Sequence, residues 1–143
     1  MCESSTAAGS ATQITILQHF DKDGKYDKRE ILLSNQNKPL GMLSLDSFFY
    51  VANTDALMKY PYQTRQSHIA TTGIKILDLP AGGYNNHWTR NIIASTDKTK
   101  ILISVGSGSN NVENGMDKEI RRANILWIIV SNFKNFFCKI SLN

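Results

Sequence analysis

The stretch LGMLSLDSFFYVANTDALMKYPY, residues 40–62, constrains the fold most. Its apolar residues fall into the short runs GMLSL, FFYVAN and ALMKYPY. The residues between the runs, Asp46-Ser47 and Asn53-Thr54-Asp55, are turn formers. Runs this short, joined by turns of two or three residues, predict a β-meander. The rhythm continues with GIKILDL at 73–79, TRNIIAS at 89–95, ILISVGS at 101–107 and ANILWIIV at 123–130. Before the meander, ITIL at 14–17 and EILLS at 30–34 read as two further strands, with HFDKDGKYDK between them as a turn. No window repeats apolar residues at i, i+3 and i+4 over three helical turns.

The chain is therefore expected to be all-β. Strands at this spacing suit a sandwich, a barrel or a propeller. Two features favour a propeller. Each connection is local, and the unit "apolar strand, Asp-containing turn, apolar strand" occurs in GMLSLDSFFYVAN and again, roughly 50 residues later, in NIIASTDKTKILISVGS. The strands suffice for about two blades of four-stranded antiparallel sheet, too few to close a ring, so sheet edges would stay open. The expected organisation is a disordered lead over 1–11, a partial propeller domain over 12–130 and an aberrant C-terminal tail over 131–143.

Composition narrows the function classes. The chain has 143 residues, of which 20% are charged, and a net charge of +4. Its basic residues are scattered and form no stripe with interleaved aromatics, which argues against nucleic acid as a partner. Cys2 and Cys138 lie near opposite ends, outside any zinc-ligand spacing. MCESSTAAGSATQ has neither a basic start nor an apolar core, so no secretory signal is expected in it. ILWIIV is too short to span a membrane.

Three polar segments are candidates for chemistry. In YNNHWTRN, residues 84–91, His87 suits general base work because imidazole titrates near neutrality. The residues alone leave open a loop histidine bonded to nearby backbone. Arg90 could pair with a ligand carboxylate or with a structural one. Asn86 could orient the imidazole or simply fill a turn. GSGSNNVENGMDKEIRR brings Glu113, Asp117, Glu119, Arg121 and Arg122 to a strand end, either as a site or as a salt-bridged loop. His19, Asp21, Asp23, Gly24, Asp27 and Glu30 match calcium-loop spacing, but histidine is a poor first ligand and flanking helices are not expected, so an acidic turn is the better reading. No metal site is assigned.

Together, LGMLSLDSFFYVANTDALMKYPY and ILDLPAGGYNNHWTRNIIASTDKTKILISVGSGSNNVENGMDKEIRRANIL resemble the glucose/sorbosone dehydrogenase family, and look closest to its L-sorbosone dehydrogenase branch. The resemblance runs from about Ile14 to Leu126. It implies a six-bladed β-propeller that oxidises an aldose or sorbosone with pyrroloquinoline quinone (PQQ) and calcium. His87 would be the catalytic base, with Arg90 and Asn86 beside the cofactor. Family chains are longer, so the resemblance also implies a fragment that is inactive alone. The family's usual location implies the periplasm. The tail WIIVSNFKNFFCKISLN departs from the family's pattern. The alternative is a non-catalytic propeller module that meets a protein partner at its open sheet edge.

Overall fold

A computed structural model describes residues 1–4 and 12–130. The meander folds where its turn chemistry puts it. Strands β4 (Gly41–Leu45), β5 (Phe48–Ala52), β6 (Ala56–Pro61) and β7 (Ile74–Asp78) form one antiparallel sheet in chain order. Gly41 pairs with Ala52 and Leu45 with Phe48, leaving Asp46-Ser47 as a two-residue hairpin loop. Asp46 takes φ 53°, the left-handed region that Asp tolerates better than most residues.

A second sheet is built the same way from β8 (Arg90–Ala94), β9 (Lys100–Val105) and β10 (Asn124–Ile129). A third contains β1 (Cys2–Glu3), β2 (Gln13–Phe20) and β3 (Tyr26–Leu33), in that order. Among the described residues there is no α-helix, only one turn of 3-10 helix at Met116–Glu119. No helix among them is long and apolar enough to cross a membrane.

The β4–β7 sheet lies between the other two. Strand β5 explains how. Its run FFYVA is apolar throughout because both of its faces are covered. Tyr50 and Ala52 pack with Leu57, Leu77, Ile92, Ile101, Ile103 and Leu126, joining this sheet to β8–β10. Phe49 and Val51 point the other way and pack with Ile14, Leu32, Leu33 and Tyr60. The leading strands β4 and β8 come so close that a Cβ on Gly41 would lie 2.8 Å from Arg90 O and Ile92 N. Sheets stacked face to face in chain order, with β4 against β8, define an all-β partial β-propeller.

The blades differ in detail from expectation. One sheet has four strands and its neighbours have three each. The start of the expected lead, residues 1–4, meets β2: Cys2 pairs with Ile14 and Glu3 with Gln13, and the Met1 ammonium donates to Thr15 O at 2.6 Å. The Glu3 carboxylate accepts from Thr15 and, at 2.7 Å, from Arg29, which tethers β1 to its neighbours. Residues 5–11 and the tail 131–143 lie outside the described residues.

HFDKDGKYDK is half strand. β2 runs to Phe20 and β3 begins at Tyr26, so the turn is only 21–25. Asp21 Oδ1 holds that turn by accepting from the amides of Asp23 at 2.9 Å and Lys25 at 2.8 Å. The carboxylates of the calcium-like spacing are thereby spread along a hairpin. Among the described residues, no three His, Cys, Asp or Glu side chains gather to hold a metal.

Candidate functional site

Two long loops meet beside the start of β8. One joins β7 to β8 and contains YNNHWT. The other joins β9 to β10 and contains GSGSNNVENGMDKEIRRA. Their polar residues find partners in each other, as buried or half-buried polar groups must. The Asn86 amide donates to Gly108 O at 2.9 Å, and Asn86 Nδ2 to Asn110 Oδ1 at 3.1 Å. Arg122 donates to Gly82 O at 3.0 Å and also to Asn85 Oδ1. The β5–β6 turn joins them: Thr54 Oγ1 donates to Trp88 O at 2.9 Å and accepts from Asn85 Nδ2 at 3.2 Å.

His87 is exposed. Its Nδ1 lies 2.9 Å from Ser107 Oγ and 3.3 Å from Ser107 O. The histidine backbone rests on the end of β9, where a Cβ on Gly106 would come within 2.6 Å of His87 Cβ. Asn86 does not orient the imidazole; its side chain ties the two loops together.

Arg90 is 1% exposed. Its guanidinium donates to the backbone carbonyls of Pro80 at 2.7 Å, His87 at 2.8 Å and Thr89 at 3.0 Å. Nε finds no partner among the described residues, and no carboxylate there forms an ion pair with Arg90. Burial, with the Arg122 charge adding to it, pushes its pKa down to about 10, so it stays ionised at neutral pH. Arg90 thus fixes the loop that carries His87 and contributes positive charge beneath it.

Glu119 organises the second loop. Its carboxylate accepts from the Gly108 amide at 2.8 Å and from the Ser109 amide and hydroxyl, both at 3.1 Å. These bonds, the Gly108 amide first, hold its pKa below the usual carboxylate range. Glu113 similarly accepts from the Asn111 amide at 2.7 Å. Asp117 pairs with Lys118 at 2.8 Å, and Arg121 donates to Asp78 O at 3.0 Å. The loop is a hydrogen-bonded support in which the acidic residues mostly hold backbone amides. Sequence reading marked Glu119 and Arg122 only as members of a charged loop and passed over Ser107, Gly106 and Asn85. The one available signal was the run of small polar residues directly after β9.

Next to His87 in sequence, a cleft of about 520 Å³ is lined by Asn37, Lys38, Thr54, Tyr84, Asn85 and Trp88, among others. His87 is not among the lining residues. The Lys38 ammonium sits 6.0 Å from the Trp88 ring centroid, so the cleft has a cation over an aromatic face. Amides, a hydroxyl, an aromatic platform and a cation would suit a polar, planar or polyhydroxylated ligand carrying negative charge.

This architecture recurs in solved structures. The holo form of the pyranose dehydrogenase PQQ domain from Coprinopsis cinerea superposes with a TM-score of 0.65 at 15% identity, over 80% of this chain and 28% of that one. The iodide structure of a Trichoderma reesei enzyme of Carbohydrate-Active Enzymes Family AA12 superposes with a TM-score of 0.69 at 16% identity, over 88% of this chain and 33% of that one. The chain therefore shares its fold with a third or less of each of these structures. No family model matches the sequence, and no curated protein matches it.

Proposed function

We propose that the chain is the base-bearing portion of a quinone-dependent sugar oxidoreductase, and that it does not turn over alone. The observation that carries this reading is an exposed imidazole, held at Nδ1, on a loop bordering an aromatic and cationic cleft with two buried arginines behind it. PQQ is a planar aromatic tricarboxylate. Trp88 and Tyr84 would hold its rings, and Lys38 and the loop amides its carboxylates, while Arg90 and Arg122 would act through their field. When bound, such a group supplies a two-electron acceptor. His87 would take the proton from the sugar hydroxyl oxygen, while the hydride on the carbon bearing that hydroxyl would go to the bound quinone, leaving a carbon–oxygen double bond. Among the described residues no three His, Cys, Asp or Glu side chains gather to hold a metal, so calcium enters this proposal only through the sequence resemblance. A sorbosone-type or aldose substrate and an enzyme working outside the cytoplasm belong to the same proposal and rest on the sequence resemblance.

The test is a titration of the purified chain with PQQ, followed by tryptophan fluorescence and quinone absorbance. Saturable quenching that Trp88→Ala abolishes is expected, with no reduction of an artificial dye when glucose or sorbosone is added. A chain that keeps its strand signature and shows no saturable binding would overturn the proposal.

One observation favours the second reading, a non-catalytic module completed by another β-sheet. The outer face of β8–β10 shows Ile93 at 65% exposure and Ile125 at 58%. The opposite face of the same sheet is already covered by an antiparallel sheet, so another sheet is its fitting occupant.

A further inference from the structure

We infer that a Glu119–Ser109–Ser107 relay fixes the tautomer of His87, placing the proton on Nδ1 and leaving Nε2 as the accepting nitrogen. This deepens the reading of His87 as a base and rests on that reading only for its catalytic consequence.

The inference follows from counting hydrogens. A serine hydroxyl has one hydrogen to donate and two lone pairs. Ser107 Oγ donates that hydrogen to Ser109 O at 2.7 Å. Toward His87 Nδ1, 2.9 Å away, the same oxygen can then only accept. The other group near Nδ1 is Ser107 O at 3.3 Å, a carbonyl that never donates. Nδ1 therefore faces two acceptors and must carry the hydrogen. In a neutral imidazole the lone pair is then on Nε2.

The direction of the Ser107 hydroxyl depends on where Ser109 O lies, and Glu119 sets that position. Ser109 is 3% exposed, and its amide and hydroxyl both donate to Glu119 Oε1 at 3.1 Å. The preceding amide, Gly108, donates to both carboxylate oxygens, at 2.8 and 3.1 Å. Gly108 also lies close against Glu119, since a Cβ there would meet Oε1 at 3.0 Å. Without the carboxylate, Ser109 loses the partners of its amide and hydroxyl, the peptide carrying Ser109 O keeps only the long 3.4 Å bond from the Asn110 amide to Glu113, and the Ser107 hydroxyl gains freedom to turn its hydrogen toward Nδ1. The ring would then carry its proton on Nε2 and present no lone pair there. Glu119 touches neither the imidazole nor a substrate, so it is a positioning residue.

The tautomer can be read directly from imidazole 15N shifts in long-range 1H–15N spectra at about pH 8, where an ordinary imidazole is neutral. His87→Gln identifies the His87 signals. In the wild type, the Nδ1–H form should exceed the Nε2–H form by roughly tenfold. Glu119→Ala should bring the two forms to comparable populations or invert them. Glu119→Gln, which keeps an acceptor oxygen, should restore most of the wild-type preference. Ser107→Ala removes the hydroxyl alone and should weaken the preference even if Glu119→Ala fails to fold. A wild-type ring mainly in the Nε2–H form would overturn the inference. So would a Glu119→Ala ring unchanged from wild type in a folded chain. The spectra need neither quinone nor sugar, so failure of the cofactor titration would leave this result standing.

Discussion

Replacing Gly41 with alanine should open the contact between the leading strands of adjacent blades. A Cβ at this position would lie 2.8 Å from Arg90 O, 2.8 Å from Ile92 N and 2.9 Å from Asn91 Cα. Ordinary contacts begin near 3.4 Å, so the overlap is about 0.6 Å on three atoms. All three are backbone atoms of β8, and none can swing aside as a side-chain tip can. Relief requires β4 and β8 to separate, which would disturb the packing of Tyr50 and Ala52 against Ile92 and Ile103. Overpacking of this kind costs about 1–3 kcal/mol, and a backbone obstacle puts the cost near the upper end. Alanine returns about 0.5–1 kcal/mol by stiffening the unfolded chain. The net loss is about 2 kcal/mol, or a fall in Tm of roughly 6–8 °C for a chain of this size. Thermal melts and urea titrations would measure it. Gly82→Ala is the control, because a Cβ there meets nothing within 4 Å, and it should stay within about 0.5 kcal/mol of wild type. Equal effects at Gly41 and Gly82 would refute the close approach of the two strands.

Two further outcomes follow from the loops. Arg90→Met should lower stability by about 2–4 kcal/mol in urea titrations, because the carbonyls of Pro80, His87 and Thr89 lose their donor, offset in part by the relief of a buried charge. Asp97, in the β8–β9 turn, has its pKa pushed down to about 2, first by the Ser95 hydroxyl and then by the Thr99 amide. A depressed carboxylate stabilises above its unfolded pKa and loses that contribution as pH falls through its folded one. Urea midpoints of wild type and Asp97→Asn should therefore differ at neutral pH and converge as pH falls from about 4 to 2.

Much of the fold could be read in the sequence because its strands alternate with clear turn chemistry. Asp46-Ser47 between two apolar runs marks a hairpin whatever surrounds it, and FFYVAN reads as the middle strand of the meander, though its cover on both faces shows only in the structure. The outer hairpin was harder. QITILQHF and YDKREILL carry enough polar residues on open faces to resemble turn at their ends, and β1 pairs through only two residues. The site was legible in part. His87 stood out by residue type, and the structure leaves it exposed beside a cleft. Arg90 read as the partner of a carboxylate, a ligand's or a structural one, because nothing local shows that the carbonyl of Pro80, ten residues back, is turned toward it. Ser107 and Glu119 matter only through contacts made across loops, and neither residue type nor spacing announces them.

The order of the sheets bears on how the chain comes apart. With β4–β7 between its two neighbours, the apolar clusters join each sheet to the one before or after it in the chain. Stability in such an array is close to a sum of units and nearest-neighbour interfaces. The middle sheet has two interfaces and each outer sheet has one. Unfolding should therefore fray inward from both flanks, with amides of β1–β3 and β8–β10 exchanging before those of β5 and β6. The loop bearing His87 leads into β8, on one of those flanks, so its order should follow that of the outer sheet.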